Sequence, residues 1–268
     1  MDVMRVLITN DDGIHAIGLR ALAAAAVRAG HEVVVAAPSS EHSGYSAALI
    51  ATRTEDKRIG AEPHEFDGLP DVPAYGVDAS PAFIVVLALR DAFGPAPDVV
   101  LSGPNRGANA GHAVIHSGTV GAALTAAAGG ISAIAVSLDV VSPLAGGSLH
   151  ALSEATDEGR NWDVAAGTAV GLLDVLTGLP AGTVLNLNVP DVKAQDLKGV
   201  RRAAPAGFGQ VTVTLDESGE GYLRTGMRIS EERGAPGTDL GLLADGWATV
   251  TPLTSVDDDR ALELPALS

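Results

Sequence analysis

Four residues near the start of the chain, Asn10-Asp11-Asp12-Gly13, place two adjacent carboxylates directly behind the apolar run Met4-Arg5-Val6-Leu7-Ile8-Thr9. Asp is a poor strand former, so two in succession at a strand end need a reason. A divalent cation supplies one, because hard cations take oxygen ligands and offset the repulsion between neighbouring carboxylates. The tetrapeptide is also good turn chemistry, and by itself it leaves both readings open. Three further segments carry groups that a cation or a phosphate would use. Ala37-Pro38-Ser39-Ser40-Glu41-His42-Ser43-Gly44 offers hydroxyls, a carboxylate and an imidazole. Ser102-Gly103-Pro104-Asn105-Arg106-Gly107-Ala108-Asn109-Ala110-Gly111 combines three glycines with two asparagines. Its backbone amides can therefore approach a ligand closely, and Asn105 adds a neutral oxygen donor. Arg106 fits either a phosphate contact or a surface ion pair. His116-Ser117-Gly118-Thr119 opens a helical pattern. Exposed N–H groups there attract anions and the hydroxyls add donors, although plain N-capping uses the same residues.

These segments need a scaffold that delivers them to one place. Residues 3–9, 31–37, 98–102, 131–138 and 183–189 read as strands. Residues 19–28, 80–93, 117–129 and 162–177 read as helices, with Pro81 in a first turn where its missing N–H costs little. Near-continuous apolar strands separated by helices predict an α/β fold with a mainly parallel sheet covered on both faces. In such sheets ligands bind at the carboxyl edge of the strands, and the four segments all fall at that edge. Together they describe a divalent metal beside a phosphate pocket. Residues 103–116 read as a loop and 140–161 as irregular. Beyond residue 200 the pattern changes: 200–204, 210–215 and 222–229 predict antiparallel strands or a hairpin arm, and 247–251 a last strand. No repeat or long linker divides the chain. One domain over 1–268 is expected, with 200–268 a β-rich extension that serves as oligomerisation arm and C-terminal strand.

Composition narrows the class. A chain of 268 residues can bury a large core. A formal net charge of −16 argues against DNA or RNA as a partner. It leaves a small phosphorylated substrate open, since a bound metal brings local positive charge whatever the global sign. The absence of Cys removes disulfides, thiolate metal sites and cysteine nucleophiles, and it fits a cytoplasmic location. No secretory leader pattern is visible. Residues 117–138 carry no charge and are long enough to span a bilayer. Their Ala, Gly, Ser and Thr content, broken by Gly129-Gly130, instead predicts a buried helix, a glycine stop and a strand. No membrane span is expected.

The same blocks carry a resemblance. Val6-Leu7-Ile8-Thr9-Asn10-Asp11-Asp12-Gly13-Ile14 resembles the opening signature of the SurE family of survival-protein nucleotidases. The Ala37–Gly44, Ser102–Asn109 and His116–Ala123 blocks follow in the family's order. Weaker matches lie at Asn186-Leu187-Asn188-Val189-Pro190, at Gly237-Thr238-Asp239 and at Thr249-Val250-Thr251-Pro252-Leu253. The resemblance implies a Rossmann-like three-layer α/β/α fold whose C-terminal segment exchanges between subunits in homodimers or homotetramers. It implies a metal-dependent 5′-nucleotidase, often also acting on 3′-monophosphates and in some relatives on short polyphosphate. Carried over by motif, one divalent cation, Mg2+ or Mn2+, is held by Asp11, Asp12, Ser43 and Asn105. Two departures stand out: Phe83 replaces the family's usual acidic residue, and Ile17 stands where Pro is frequent.

Within that reading, Asp11 and Asp12 are the catalytic pair, and Asp11 is ligand, nucleophile or both. Asn109, Ser117, Gly118 and Thr119 cradle the phosphate of a nucleoside monophosphate. His116 or His42 is the expected proton donor to the leaving nucleoside. A haloacid-dehalogenase-type phosphatase would space its two Asp two residues apart, whereas here they are adjacent. A nicotinamide dehydrogenase would show G-x-G-x-x-G after the first strand. A nucleotide-binding or sensing protein with the same pocket and little turnover is the alternative from outside enzymology.

Overall fold

The computed structural model describes residues 2–230 and 234–254. In β1 (Arg5–Thr9), Val6, Leu7 and Ile8 are wholly buried and alternate between two cores, so the strand can only sit inside a sheet. Eight more strands join it: β2 (Glu32–Pro38), β3 (Ala61–His64), β4 (Ala74–Val77), β5 (Val99–Arg106), β6 (Ser132–Asp139), β7 (Val184–Pro190), β8 (Val200–Arg202) and β11 (Ala248–Leu253). Their order is β3-β4-β2-β1-β5-β6-β7-β11-β8. Neighbours run parallel except at β3–β4 and β7–β11. The remaining strands, β9 (Val211–Gly219) and β10 (Tyr222–Ile229), form a separate antiparallel hairpin.

Helices cover both faces. Val6 and Ile8 share one core with residues of α1 (Ile17–Arg28), α4 (Trp162–Gly171) and α5 (Leu173–Thr177). Leu7 shares the other with α2 (Pro81–Ala88) and α3 (Gly118–Ala128). There, Ala122, Ala123 and Ala126 of α3 lie in one cluster with Ala133 and Ala135 of β6, small residues on both sides that let helix and sheet approach closely. Strands β2 and β4 build outward from one side of β1, while β5, β6 and β7 build from the other. The order reverses between β1 and β5, and in open α/β sheets that is where ligands bind.

The expected mainly parallel α/β sheet is present, and several local expectations need correction. The strand expected over 98–102 runs on to Arg106. Its register with β6 shifts between Ser102 and Asn105, where Gly103 takes a φ of 120°. Asn105 and Arg106 thus pair with Ser137 and Leu138 instead of lying in a loop. Such irregularities re-aim side chains beside functional sites. The helix expected over 80–93 ends at Ala88, before turns that include a left-handed Asp91 (φ 62°). The helix over 162–177 divides at Leu172. Residues 200–204 do not belong to the hairpin: β8 pairs in parallel with β11 at the sheet edge, satisfying a backbone that would otherwise be open there. The arm proper is therefore β9–β10, and the parts of the expected extension at 231–233 and 255–268 lie outside the described residues. Strands β3 and β4 carried no usable pattern, being short and holding Pro63 and Gly76. Residues 117–138 fold as α3, a glycine turn and β6. Among the described residues no helix is long and apolar enough to cross a membrane.

Candidate active site

The tetrapeptide after β1 closes on itself. The Asn10 side chain accepts from the Gly13 N–H (3.1 Å) and its Nδ2 donates to the Gly13 carbonyl (3.0 Å). Ile14 N–H then donates to the Pro38 carbonyl at 2.8 Å, and His42 N–H to the Asp11 carbonyl at 2.7 Å. The turn and the second loop are thereby tied together at the end of β1 and β2. Both carboxylates face inward: Asp11 is 3% exposed and the Asp12 side chain 5%.

Different groups hold the two. Asp11 lies at the start of α3, where the Thr119 N–H donates to Oδ2 (3.2 Å) and the Thr119 hydroxyl to Oδ1 (2.5 Å). The positive end of the helix dipole favours a carboxylate there. Gly118 makes the approach possible, since a Cβ at this position would lie 2.7 Å from Asp11 Oδ2 and 3.0 Å from its Cβ. Asp12 is met from the other side by Arg106, whose backbone N–H reaches Oδ2 (3.3 Å) and whose Nη1 reaches Oδ1 (3.4 Å). Arg106 is itself fixed by two parallel 2.8 Å bonds to Asp157, the bidentate geometry that suits guanidinium and carboxylate.

Electrostatically the site is short of positive charge. Asp12 and Asp157 share the Arg106 guanidinium, while the charges of Asp11 and Glu41 also act on Asp12. Burial first, and then the charge of Asp11, push the Asp12 carboxyl up to about 7, although Arg106 pulls the other way. Burial also raises Asp11 against the Thr119 hydrogen bonds, and Glu41 adds to the rise. Burying like charges side by side is costly unless something pairs with them. Around them lie further oxygens. Asn105 turns its Nδ2 to the Gly107 carbonyl (2.8 Å), an orientation that fixes which end of the amide carries the donor oxygen. Thr9 Oγ1 and Ser102 Oγ, on paired residues of β1 and β5, are buried with no hydrogen-bond partner. Among the described residues no three His, Cys, Asp or Glu side chains form a metal-holding group, so a cation here draws on two carboxylates and neutral oxygens. This donor chemistry fits a hard divalent ion.

The residues singled out from the sequence divide as follows. Asp11 and Asp12 follow β1, and Asn105 lies on the neighbouring β5, next to Arg106, whose N–H reaches Asp12. Ser43 is exposed, and its hydroxyl donates to Glu41 (2.7 Å), which links it to the acidic pair through that carboxylate. Ser117 caps α3 through the Val120 N–H (3.1 Å), and Thr119 is committed to Asp11. Asn109 is half-buried with its Nδ2 on Ser137 Oγ (3.0 Å). Its carbonyl accepts from Asn186 (2.7 Å) and Asn188 (2.9 Å). His116 is exposed, and His42 turns Nδ1 to the Ser40 carbonyl (2.7 Å). Arg106 is a buried ion pair with Asp157 and Asp12, not one at the surface. Phe83 packs in the α2–α3 core with Arg53 over its ring (5.8 Å), and Ile17 lines the cleft beside Asp12.

Three supports had no role assigned to them from the sequence. Asp157 lies in a stretch without periodicity, and nothing in the sequence marks it. Asn186 and Asn188 sit two apart on β7, an inward polar pair in an apolar strand, which was a readable signal. Asp239 accepts from the Gly111 N–H (2.7 Å) and the Ala206 N–H (2.9 Å), pinning the far end of the Asn109 loop.

With this geometry in view, the relatives are informative. The family model described as Survival protein SurE matches residues 6–210. The 5′-nucleotidase SurE of Nitratidesulfovibrio vulgaris (strain DSM 19637 / Miyazaki F) is 40% identical over 271 residues, covering 98% of this chain and 91% of its own length. The 5′-nucleotidase SurE 1 of Thermus thermophilus is 37% identical over 252 residues, covering 94% and 92%. The crystal structure of the SurE protein from Aquifex aeolicus superposes with a TM-score of 0.71 at 26% identity, covering 96% of each chain. The chain belongs to the SurE family.

The closeness of Gly118 to Asp11 yields a test. Gly118→Ala should lower stability by about 1–3 kcal/mol in urea unfolding, because the added methyl displaces either α3 or the Asp11 carboxylate. A change within about 0.5 kcal/mol, the range of an ordinary surface substitution, would show that the contact is not tight.

Proposed function

We propose that the protein is a 5′-nucleotidase, a phosphoric monoester hydrolase, that works with one divalent cation, Mg2+ or Mn2+. The reaction class rests on relatives of that name at 35 to 40% identity over nearly the whole chain. The observation that carries the metal dependence is the buried Asp11–Asp12 pair, whose charge Arg106 offsets only in part. Asp11, Asp12 and Asn105 would hold the cation, with Ser43 a fourth ligand if its hydroxyl turns from Glu41. When bound, the cation supplies Lewis-acid polarisation of phosphoryl oxygens and lowers the pKa of an attacking water.

The chain's own residues supply position and charge. Thr119 and the start of α3 orient Asp11, and Arg106 with Asp157 orients Asp12. The same helix start, with Ser117 and Gly118 in it, is the proposed seat of the phosphate, because a helix N-terminus favours an anion, and Asn109 is the proposed further contact. Thr119 serves the carboxylate first, as both of its donors already point there. Phosphoryl transfer needs in-line positioning and charge neutralisation more than covalent chemistry, and this crevice is built for those two tasks. Phe83 packs against the α2–α3 core and does not line the cleft beside Asp12.

Phosphate release from AMP or GMP by the purified protein is expected with Mg2+ or Mn2+ and abolished by EDTA. Asp12→Asn should reduce kcat by at least about 100-fold, as loss of a group acting in the transition state does. Metal-independent release, or full activity in Asp12→Asn, would contradict the proposal.

The hairpin is the proposed assembly element of a homodimer or homotetramer. Val213, Leu215, Tyr222, Leu223 and Met227 are 51 to 75% exposed on it, and clustered exposed apolar side chains mark interaction surfaces. Light scattering should give a multiple of the 27.0 kDa chain mass. A monomeric mass for the intact protein would contradict this assignment.

A further inference from the structure

The leaving nucleoside needs a proton, and the two histidines expected to give it lie off the cleft that opens from Asp12. A cleft of about 310 Å³ opens from Asp12, and its walls include Glu41, Arg106, Asp157, Ser39 and His15. Among the described residues His15 is the one imidazole on that wall; His42 and His116 do not line it. His15 is also held in place. It follows the closed Asn10–Gly13 turn, between the Ile14 N–H bonded to Pro38 (2.8 Å) and the Ala16 N–H bonded to Gly13 (3.1 Å). Its ring meets His64 edge to face (5.0 Å, 77°), and His64 meets Phe66 in the same way (4.7 Å, 74°). Phe66 is 7% exposed and belongs to the α1–α4 core, so a ladder of three rings runs from that core to the cleft wall. Burial, with His15 as its neighbour, holds His64 below the usual imidazole range.

We propose that His15 is the general acid of this nucleotidase, donating its proton to the departing 5′-oxygen of the nucleoside from the cleft beside Asp12. The inference rests on the nucleotidase reading above. In the step, the oxygen of a water molecule forms a bond to phosphorus as the P–O5′ bond breaks. The electron pair of that bond stays on O5′, which takes the imidazolium proton and leaves as a hydroxyl. The attacking water's second proton passes to solvent, and His15 is reprotonated from solvent. Inorganic phosphate and a nucleoside are the products.

Leaving-group dependence tests this directly. A nucleoside alkoxide needs the proton, whereas p-nitrophenolate is stable as an anion and leaves without one. Metal-loaded wild type, His15→Gln and His15→Ala are assayed with AMP and with p-nitrophenyl phosphate. Their unfolding midpoints are compared, and His15 is exposed enough for both variants to fold. The expected result is a fall in kcat for AMP of about 100-fold or more, with KM changed by less than about threefold. The rate on p-nitrophenyl phosphate should fall by less than about threefold. Equal losses on both substrates, or no loss on AMP, would overturn the assignment. So would the same pattern appearing in His116→Gln or His42→Gln instead. A wild type that hydrolyses p-nitrophenyl phosphate but not AMP would overturn the nucleotidase reading, a failure distinct from that of His15.

Discussion

Two carboxylates on consecutive residues, both turned away from solvent, are the constraint around which this molecule is arranged. Asp11 and Asp12 cannot relax outward, because the Asn10–Gly13 turn is closed by its own hydrogen bonds and tied to the end of β2. Their repulsion is met from two sides by different means. The start of α3 gives Asp11 two hydrogen bonds and the favourable end of a helix dipole, and Gly118 lets the helix come that close. Arg106 gives Asp12 a full charge, at the cost of burying a guanidinium that needs Asp157 to keep it in place. What the protein supplies still leaves Asp12 raised to about 7. A divalent cation is the group whose charge and ligand preference match what is missing.

The rest of the crevice reads as support for that arrangement. The shift in β5 brings Asn105 and Arg106 to the crevice while keeping both in the sheet. The Asn109 loop is then clamped from below by Asn186 and Asn188 and at its far end by Asp239. These clamps explain why weakly matching blocks near the C-terminus belong with the strong ones near the N-terminus: they fix the backbone that the strong blocks present. Groups that hold ligand-bearing segments in place commonly matter almost as much as the ligands themselves.

The main lines were legible because they rest on long-period signals. Apolar strands such as β1, β5 and β6 alternate with Ala-rich helices, and that pattern fixes a parallel sheet and its functional edge. Asp11, Asp12 and Asn105 were readable as oxygen donors from type and position alone. Less was legible where function depends on partners far apart in sequence. Arg106 could not be read as a buried ion pair until Asp157, 51 residues away, appeared beside it. Thr119 looked like an anion-binding hydroxyl, and nothing in the sequence signalled that both of its donors turn to Asp11. The histidines show the same limit. His116 and His42 stand in conspicuous motifs, while His15 is set on the cleft wall by rings of β3 and its flank that carry no motif. Strand β8 looked like part of the hairpin because a three-residue strand has no period to betray its parallel partner.

Calorimetric titration of the metal-stripped protein with Mn2+ measures cation binding to the buried pair without reference to catalysis. One site per chain is expected in the wild type. Loss of that site is expected in Asp12→Asn, with a wild-type unfolding midpoint that rises with free Mn2+ as binding to the native state requires. No binding, or a site that survives intact in Asp12→Asn, would contradict it.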